Sequence, residues 1–350
     1  MASIYDIAKE AGVSYSTVSL ILNNRGDEIR ISKKTQERVR KIAREMGYVP
    51  NLNARKLIQK SYDNLPEIAL LWAPTQHPIF LNSMIQTMND LSKKEMIRPM
   101  SVTIYPFENG HVDKLEKILL GNVAHGLIIP VASEKDIAYL RQIDIQVPVI
   151  TIYNNTRKYY SVDVDNYLNG QTAAKIFETL GRKRVALVNN IYMSNGSKGR
   201  TRGFRDYCID HGMEIVSETT QRPDTIHKKS NAMDNYMKGK TLTWKMLDAG
   251  IIPDGIFAQD DDSTRGVIHA LRARNISVPE DVAVIGYGYN SKENAEEKRL
   301  TLIGYPMEEL TEQTWLLMHR ILAGEEEKPR RILCESPVYY GRSCPKPHDS

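Results

Sequence analysis

Two short amphipathic stretches, separated by three residues around Gly12, constrain this chain more than any other feature. Ile7, Ala8 and Ala11 give the first stretch one apolar face, and Ser3-Ile4-Tyr5-Asp6 opens it with a capping box. Gly12 supplies the open backbone conformation at which a short helix stops. Ser14 then caps a second helix, Tyr15–Leu22, in which Val18, Ile21 and Leu22 face inward and Tyr15, Ser16, Thr17, Ser19 and Leu20 stay outside. Ser32 caps a third helix, Lys33–Met46. Its Val39, Ile42, Ala43 and Met46 follow the i, i+3, i+4, i+7 pattern, and Gly47 ends it. The pattern predicts a small three-helix unit built on a helix-turn-helix.

Charge points the same way. Residues 1–61 hold 12 Lys and Arg against 6 Asp and Glu, a local charge of +6, whereas the other 289 residues carry 35 basic and 37 acidic groups. Only the N-terminal piece is suited to a polyanion. In a helix-turn-helix the start of the second helix reaches base edges in the major groove, so Tyr15, Ser16 and Leu20 are the candidate readers. A small basic three-helix bundle of some other purpose is the alternative.

At 350 residues there is room for two or three compact units. Beyond Glu67, short apolar runs alternate with helical patterns: Ile68–Trp72, Ser101–Tyr105, Gly126–Val131, Val147–Tyr153, Val185–Asn189, Gly255–Ala258 and Val282–Tyr287. That rhythm predicts parallel sheets covered by helices, in two doubly wound halves with a ligand cleft at the strand ends. No apolar run approaches the length of a membrane span. The opening Met1–Asp6 lacks a basic and then apolar leader, which predicts a cytoplasmic protein. Cys208, Cys334 and Cys344 are too far apart for a CxxC pair, so neither a disulfide framework nor zinc is expected.

The segment Ile4-Tyr5-Asp6-Ile7-Ala8-Lys9-Glu10-Ala11-Gly12-Val13-Ser14-Tyr15-Ser16-Thr17-Val18-Ser19 resembles the helix-turn-helix signature of the lactose-repressor and purine-repressor (LacI/GalR) family, and Glu45–Asn51 resembles the end of that family's DNA-binding head. The resemblance implies a bacterial transcription regulator, a repressor, that binds operator DNA as a homodimer. It implies DNA contacts from Ser14, Tyr15, Ser16, Thr17, Ser19, Leu20, Asn23 and Tyr48. It further implies a hinge helix within Asn51–Ile58 whose Leu57 wedges into the minor groove beside Ala54, with Arg55 on phosphate. The alternative for Leu57 is an ordinary linker residue packed on the core. The connection Arg25–Arg30 is slightly longer than the family's usual one.

The likeness continues through Asp163-Val164-Asp165-Asn166, Gly199–Phe204, Val278–Tyr287 and Leu300–Ile303 followed by Pro306. It implies an all-α head joined to a periplasmic-binding-protein-like α/β core. The expected division is a DNA-binding domain at 1–49, a hinge at 50–62, and a core at 63–345 with one half at about 63–160 and 291–324 and the other at about 161–290 and 325–345. Effector contacts are implied at Phe80, Asn154, Lys198, Arg200, Asp261 and Tyr289. Phe80 is equally open to being a core aromatic, and Arg200 to being a solvated surface charge. Asp260-Asp261-Asp262 reads as helix capping rather than a metal site.

Gly288 stands where sugar- and purine-binding members carry an aspartate. With Lys198, Arg200 and Arg202 at the mouth, this favours an anionic or phosphorylated effector over a neutral sugar. No GxSxG, P-loop or HExxH is present, and Gly286-x-Gly288 lacks a dinucleotide fingerprint, so neither an enzyme nor a cofactor is expected. A stand-alone sugar-binding transport protein is the competing reading. It shares the cleft but would not need the basic head. The tail Ser343–Ser350 has no leucine heptads, so a dimer rather than a coiled-coil tetramer is expected.

Overall fold

A computed structural model of the chain describes residues 4–22, 31–46, 65–73, 78–121, 123–130, 133–153, 156–189, 194–220, 232–289, 300–326 and 328–347. In the head, α1 (Ile4–Ala11), α2 (Tyr15–Leu22) and α3 (Lys33–Glu45) pack around Ile7, Ala8, Ala11, Val18, Ile21, Val39 and Ala43. Gly12 takes φ +60°, the left-handed value that suits a residue without Cβ, and the Val13 N–H closes the turn on the Ala8 carbonyl at 3.2 Å. Ser14 Oγ accepts the Thr17 N–H at 3.1 Å, and Ser32 Oγ accepts that of Thr35 at 3.2 Å, so both expected caps form.

Three details differ from the sequence reading. Ser19 is buried at 8% exposure, on the same inward side as Val18 and Ile21. Met46 is 36% exposed and caps α3 instead of extending its apolar stripe. Gln36 takes a core place at 2% exposure, its amide donating to the Ile31 carbonyl at 2.9 Å. Ser3 and Gly47 lie outside the described residues, as does the whole hinge at 50–62.

Among the described residues the core holds two six-stranded sheets. The first comprises β1 (Glu67–Trp72), β2 (Ser101–Pro106), β3 (Gly126–Pro130), β4 (Val149–Ile152), β5 (Tyr160–Val164) and β11 (Arg331–Cys334), all parallel, in the order β11-β5-β4-β3-β1-β2. The second comprises β6 (Arg184–Asn189), β7 (Glu214–Thr220), β8 (Gly255–Ala258), β9 (Ala283–Gly288), β10 (Thr301–Gly304) and the short β12 (Val338–Tyr339). Their order is β12-β10-β9-β8-β6-β7, with β12 alone antiparallel. Alternation along each central strand feeds two cores: Ile68, Leu70 and Trp72 pack on one face of the first sheet, and Ala69 and Leu71 on the other. Burial on both faces is why these strands read as apolar runs rather than as alternating patterns.

The division between halves moves from the expected one. β5 and β11 belong to the first sheet and β10 to the second, so the chain crosses after Val164, Gly304 and Cys334 rather than near 160, 290 and 324. The helix Met307–Ala323 returns to the first half, where Trp315 sits in the core and its Nε1 donates to the Met84 carbonyl at 2.8 Å. The strands β5, β7, β11 and β12 had no counterpart in the sequence reading. β5 carries Ser161 and Asp163 among its apolar residues, β7 is polar apart from Ile215 and Val216, and β11 and β12 are short.

Candidate functional site

Two helices of the second half create the central feature of the cleft. Asp165 caps the helix Asn166–Thr179, accepting the Leu168 N–H at 3.0 Å, and Ser194 caps the helix Asn195–Asp210, accepting that of Ser197 at 3.2 Å. They cross almost backbone to backbone. A Cβ on Gly170 would fall 2.0 Å from the Arg200 carbonyl oxygen, and one on Gly203 would fall 1.9 Å from that of Tyr167. Only glycine permits this approach, which sets Arg200 over Asn166.

Arg200 is 6% exposed, not the solvated surface charge that the sequence left open. Its Nε donates to Gln259 Oε1 at 3.0 Å, its Nη1 to Asn166 Oδ1 at 2.5 Å, and its Nη2 to the Gln259 carbonyl at 3.5 Å. The guanidinium carbon lies 3.6 Å from the Tyr287 ring centre, a stacked cation–π contact. Gln259 is fixed in turn: its Nε2 donates to Thr201 Oγ1 at 3.2 Å, and that hydroxyl donates to Asn189 Oδ1 at 3.1 Å. Sequence reasoning missed Gln259, Asn166 and Tyr287. The available signal was position, since Gln259 is the first polar residue after the wholly apolar β8, at the end of a parallel strand where ligands gather.

Aromatic side chains link the halves. Tyr287 meets Tyr305 edge-on at 4.6 Å, Tyr305 meets Tyr153 at 5.6 Å, and Tyr153 meets Phe80 at 6.1 Å. Tyr153 has φ +63°, a conformation rare for a bulky side chain, one residue beyond β4. Such outliers gather at ligand sites. Burial raises the phenol pKa values of Tyr153, Tyr287 and Tyr305, so all three stay neutral donors. Phe80 lies on the helix Pro78–Lys93, not in a loop, and is 5% exposed within the first core. Tyr289 is half-buried and packs on that same cluster. Lys198 is exposed and bonded to Glu134 at 2.7 Å, so it does not line the pocket as a free cation. Asn154 lies outside the described residues.

Asp261 opens the helix Asp261–Arg272. Burial, with repulsion from Asp262 and Asp260 outweighing the attraction of Arg265, lifts its pKa to about 7. A Cβ on Gly288 would lie 2.9 Å from the Asp261 Cβ. The space that a side chain at 288 would fill is therefore occupied by Asp261, the first residue of the helix that follows the neighbouring strand β8. The carboxylates of Asp260, Asp261 and Asp262 lie within 4.8 Å of one another, but Asp260 caps the helix through the Ser263 N–H at 2.8 Å and Asp262 pairs with Arg265.

On the head, Ser14, Tyr15 and Ser16 are exposed and Thr17 and Leu20 half-buried. The Tyr5 and Tyr15 rings stack at 4.7 Å with both in solvent, 69% and 41% exposed. Lys9, Lys33, Lys34, Arg38, Lys41 and Arg44 are exposed on the same small unit. Asn23, Tyr48, Ala54, Arg55 and Leu57 lie outside the described residues. Among the described residues no helix is long and apolar enough to cross a membrane.

Known proteins agree with this architecture. Residues 3–51 match the family "Bacterial regulatory proteins, lacI family", and residues 174–344 match the "Periplasmic binding protein-like domain". The HTH-type transcriptional regulator DegA of Bacillus subtilis is 26% identical over 95% of this chain and 94% of its own length. The ribose operon repressor of Lactococcus lactis is 24% identical over 97% of this chain and 96% of its own. Among solved structures, the Lac repressor dimer bound to operator and an anti-inducer aligns with TM-score 0.67 at 20% identity, covering 98% of this chain and 99% of that one. A complex of the regulator CelR with cellobiose aligns at 0.64 and 21% identity, over 98% and 100%. The match at 3–51 is what a stand-alone binding protein would not carry. The chain thus joins a helix-turn-helix domain of the lacI family of bacterial regulatory proteins to a periplasmic-binding-protein-like domain, and it is a transcription regulator with a ligand-binding core.

Proposed function

We propose that the chain is a cytoplasmic homodimeric repressor whose grip on a pseudo-palindromic operator is set by a sugar-sized effector in the cleft around Arg200. The buried Arg200, held between Tyr287, Gln259 and Asn166 at the strand ends, is the observation that carries this reading. Cellobiose and D-xylulofuranose in two similar structures support a ligand of that size. Tyr15, Ser16 and Leu20 read bases, with Ser14, Thr17, Asn23 and Tyr48 beside them. Ser19, being buried, supports the helix from within. Leu57, with Ala54 and Arg55, forms the minor-groove wedge, which requires two hinges and so a dimer. Asp261, Tyr289 and Asn154 complete the effector site, and Phe80 backs it through Tyr153. The protein carries out no catalysis.

Operator selection from random duplexes, followed by fluorescence anisotropy, tests the reading. Tyr15→Ala should weaken the selected site by roughly 10- to 100-fold, a loss of about 1–3 kcal/mol, and leave non-specific binding nearly unchanged. Equal weakening on specific and random duplexes would reject Tyr15 as a reader.

A further inference from the structure

We propose that the cleft ligand is a hydroxylated acid of sugar size whose carboxylate meets the Arg200 guanidinium. The proposal rests on the cleft being the effector site, as argued above.

Arg200 is buried, yet every acceptor it uses is neutral: the Gln259 side-chain and main-chain oxygens and the Asn166 amide oxygen. Among the described residues no carboxylate comes within ion-pair distance of it. Its neighbours are treated otherwise. Lys198 pairs with Glu134, Arg202 with Asp206, Arg205 with Glu218 and Arg265 with Asp262. A guanidinium removed from water without a counter-charge is costly, and the folded protein lowers that cost when an anion arrives.

Geometry narrows the anion. Of the five guanidinium N–H groups, three are directed at Gln259 and Asn166. Two remain, one on each Nη, and this pair matches the two oxygens of a carboxylate. Lys198 and Arg202 are already paired with carboxylates, so of the three cations Arg200 alone is left for a ligand, and the nearby Asp261 and Asp260, which act on the same Tyr305, oppose a second negative charge. That fits a singly charged carboxylate better than a phosphate dianion. Asp261, in the space above Gly288, supplies a partner for a ligand hydroxyl. The Tyr305 ring, packed on Tyr287 and Tyr153, provides an apolar wall between the two ends.

Thermal shift and calorimetry on the full-length protein, with D-glucuronate and D-galacturonate against D-glucose, D-galactose and D-glucose 6-phosphate, test this. The expected result is binding of a sugar acid at least about tenfold tighter than its neutral parent, lost in Arg200→Gln. Arg200→Lys, which keeps the charge and loses the fork, should retain the order with weaker binding, and it serves if the glutamine variant does not fold. A neutral sugar that binds as tightly as its acid overturns the proposal, and so does a sugar phosphate that binds tenfold tighter. If no compound binds, the empty protein decides: higher thermal stability of Arg200→Gln than of wild type supports an uncompensated charge, and lower stability overturns it. Operator affinity is measured alongside. An acid that binds without changing it rejects the effector role of the cleft and leaves the ligand class standing.

Discussion

Lys198 Nζ lies 2.7 Å from Glu134 Oε1, joining a helix of the second half of the core to a helix of the first. The sequence placed Lys198 at the mouth as a ligand contact. The structure instead makes it one end of a bond that any separation of the two halves at this point must break. Both side chains are more than half exposed, at 53% and 64%, so water and salt screen the pair. A double-mutant cycle with Glu134→Gln and Lys198→Met should give a coupling of about 0.2–1 kcal/mol in thermal unfolding at low salt. It should vanish near 1 M salt, where the Debye length is about 3 Å. Coupling that persists there would mean the pair is shielded from solvent.

Asp261 makes stability depend on pH. Its pKa is about 7 in the folded chain against 3.8 for the free side chain, so between those values the folded state binds the extra proton. Its stabilising contribution is full below about pH 4 and is lost as pH rises through about 7. The groups that set this balance are Asp260, Asp262 and Arg265. Asp261→Asn should flatten the fall between pH 5 and 8 and, at pH 8, stabilise the empty protein by about 1–3 kcal/mol. Urea titrations at both pH values measure this, and an unchanged slope in the variant would place Asp261 in water.

How much of this was legible depended on whether the signal was local. The head could be read because capping serines, Gly12 and a 3.6-residue period act within a few residues of one another. Ser19 differs from the expectation because its burial depends on how neighbouring helices cover the second one, which periodicity within one helix does not encode. In the core the apolar runs marked the central strands, while β7 is an edge strand paired only with β6 and so carries polar side chains. Arg200 was found by resemblance, but its burial comes from the close crossing at Gly170 and Gly203, and its partner Gln259 lies 59 positions away. The interplay of Gly288 and Asp261 had the same cause. Two positions far apart in sequence share one space, and only the fold shows that the space is filled.

Phe80 separates support from contact. At 5% exposure, with its ring 6.2 Å from Trp72 and 6.1 Å from Tyr153, it fills the first core and backs the tyrosine that faces the cleft. Phe80→Ala should cost about 3–5 kcal/mol in urea unfolding, the range for removing a buried aromatic ring. Phe80→Leu should restore most of that stability and, with it, effector binding. A leucine variant that is stable but unable to bind would show that the ring itself touches the ligand.

Gly203 tests whether the helix crossing sets the site. The methyl of Gly203→Ala meets a backbone oxygen, which cannot turn aside as a side chain could, so the two helices must part. The helix that carries Arg200 then moves away from the one that carries Asn166, and the 2.5 Å bond between them opens. Overpacking of this kind costs about 1–3 kcal/mol in stability. Effector affinity should fall by more than the stability loss explains when measured well below the unfolding transition. Gly196→Ala crowds the same bond without parting the helices: its methyl would meet the Asn166 side-chain amide at 3.2 Å and Arg200 Nη1 at 3.4 Å, groups that can shift, so stability should change little and effector affinity less than in Gly203→Ala. Equal behaviour of the two alanine variants would mean that the close backbone approach does not position Arg200.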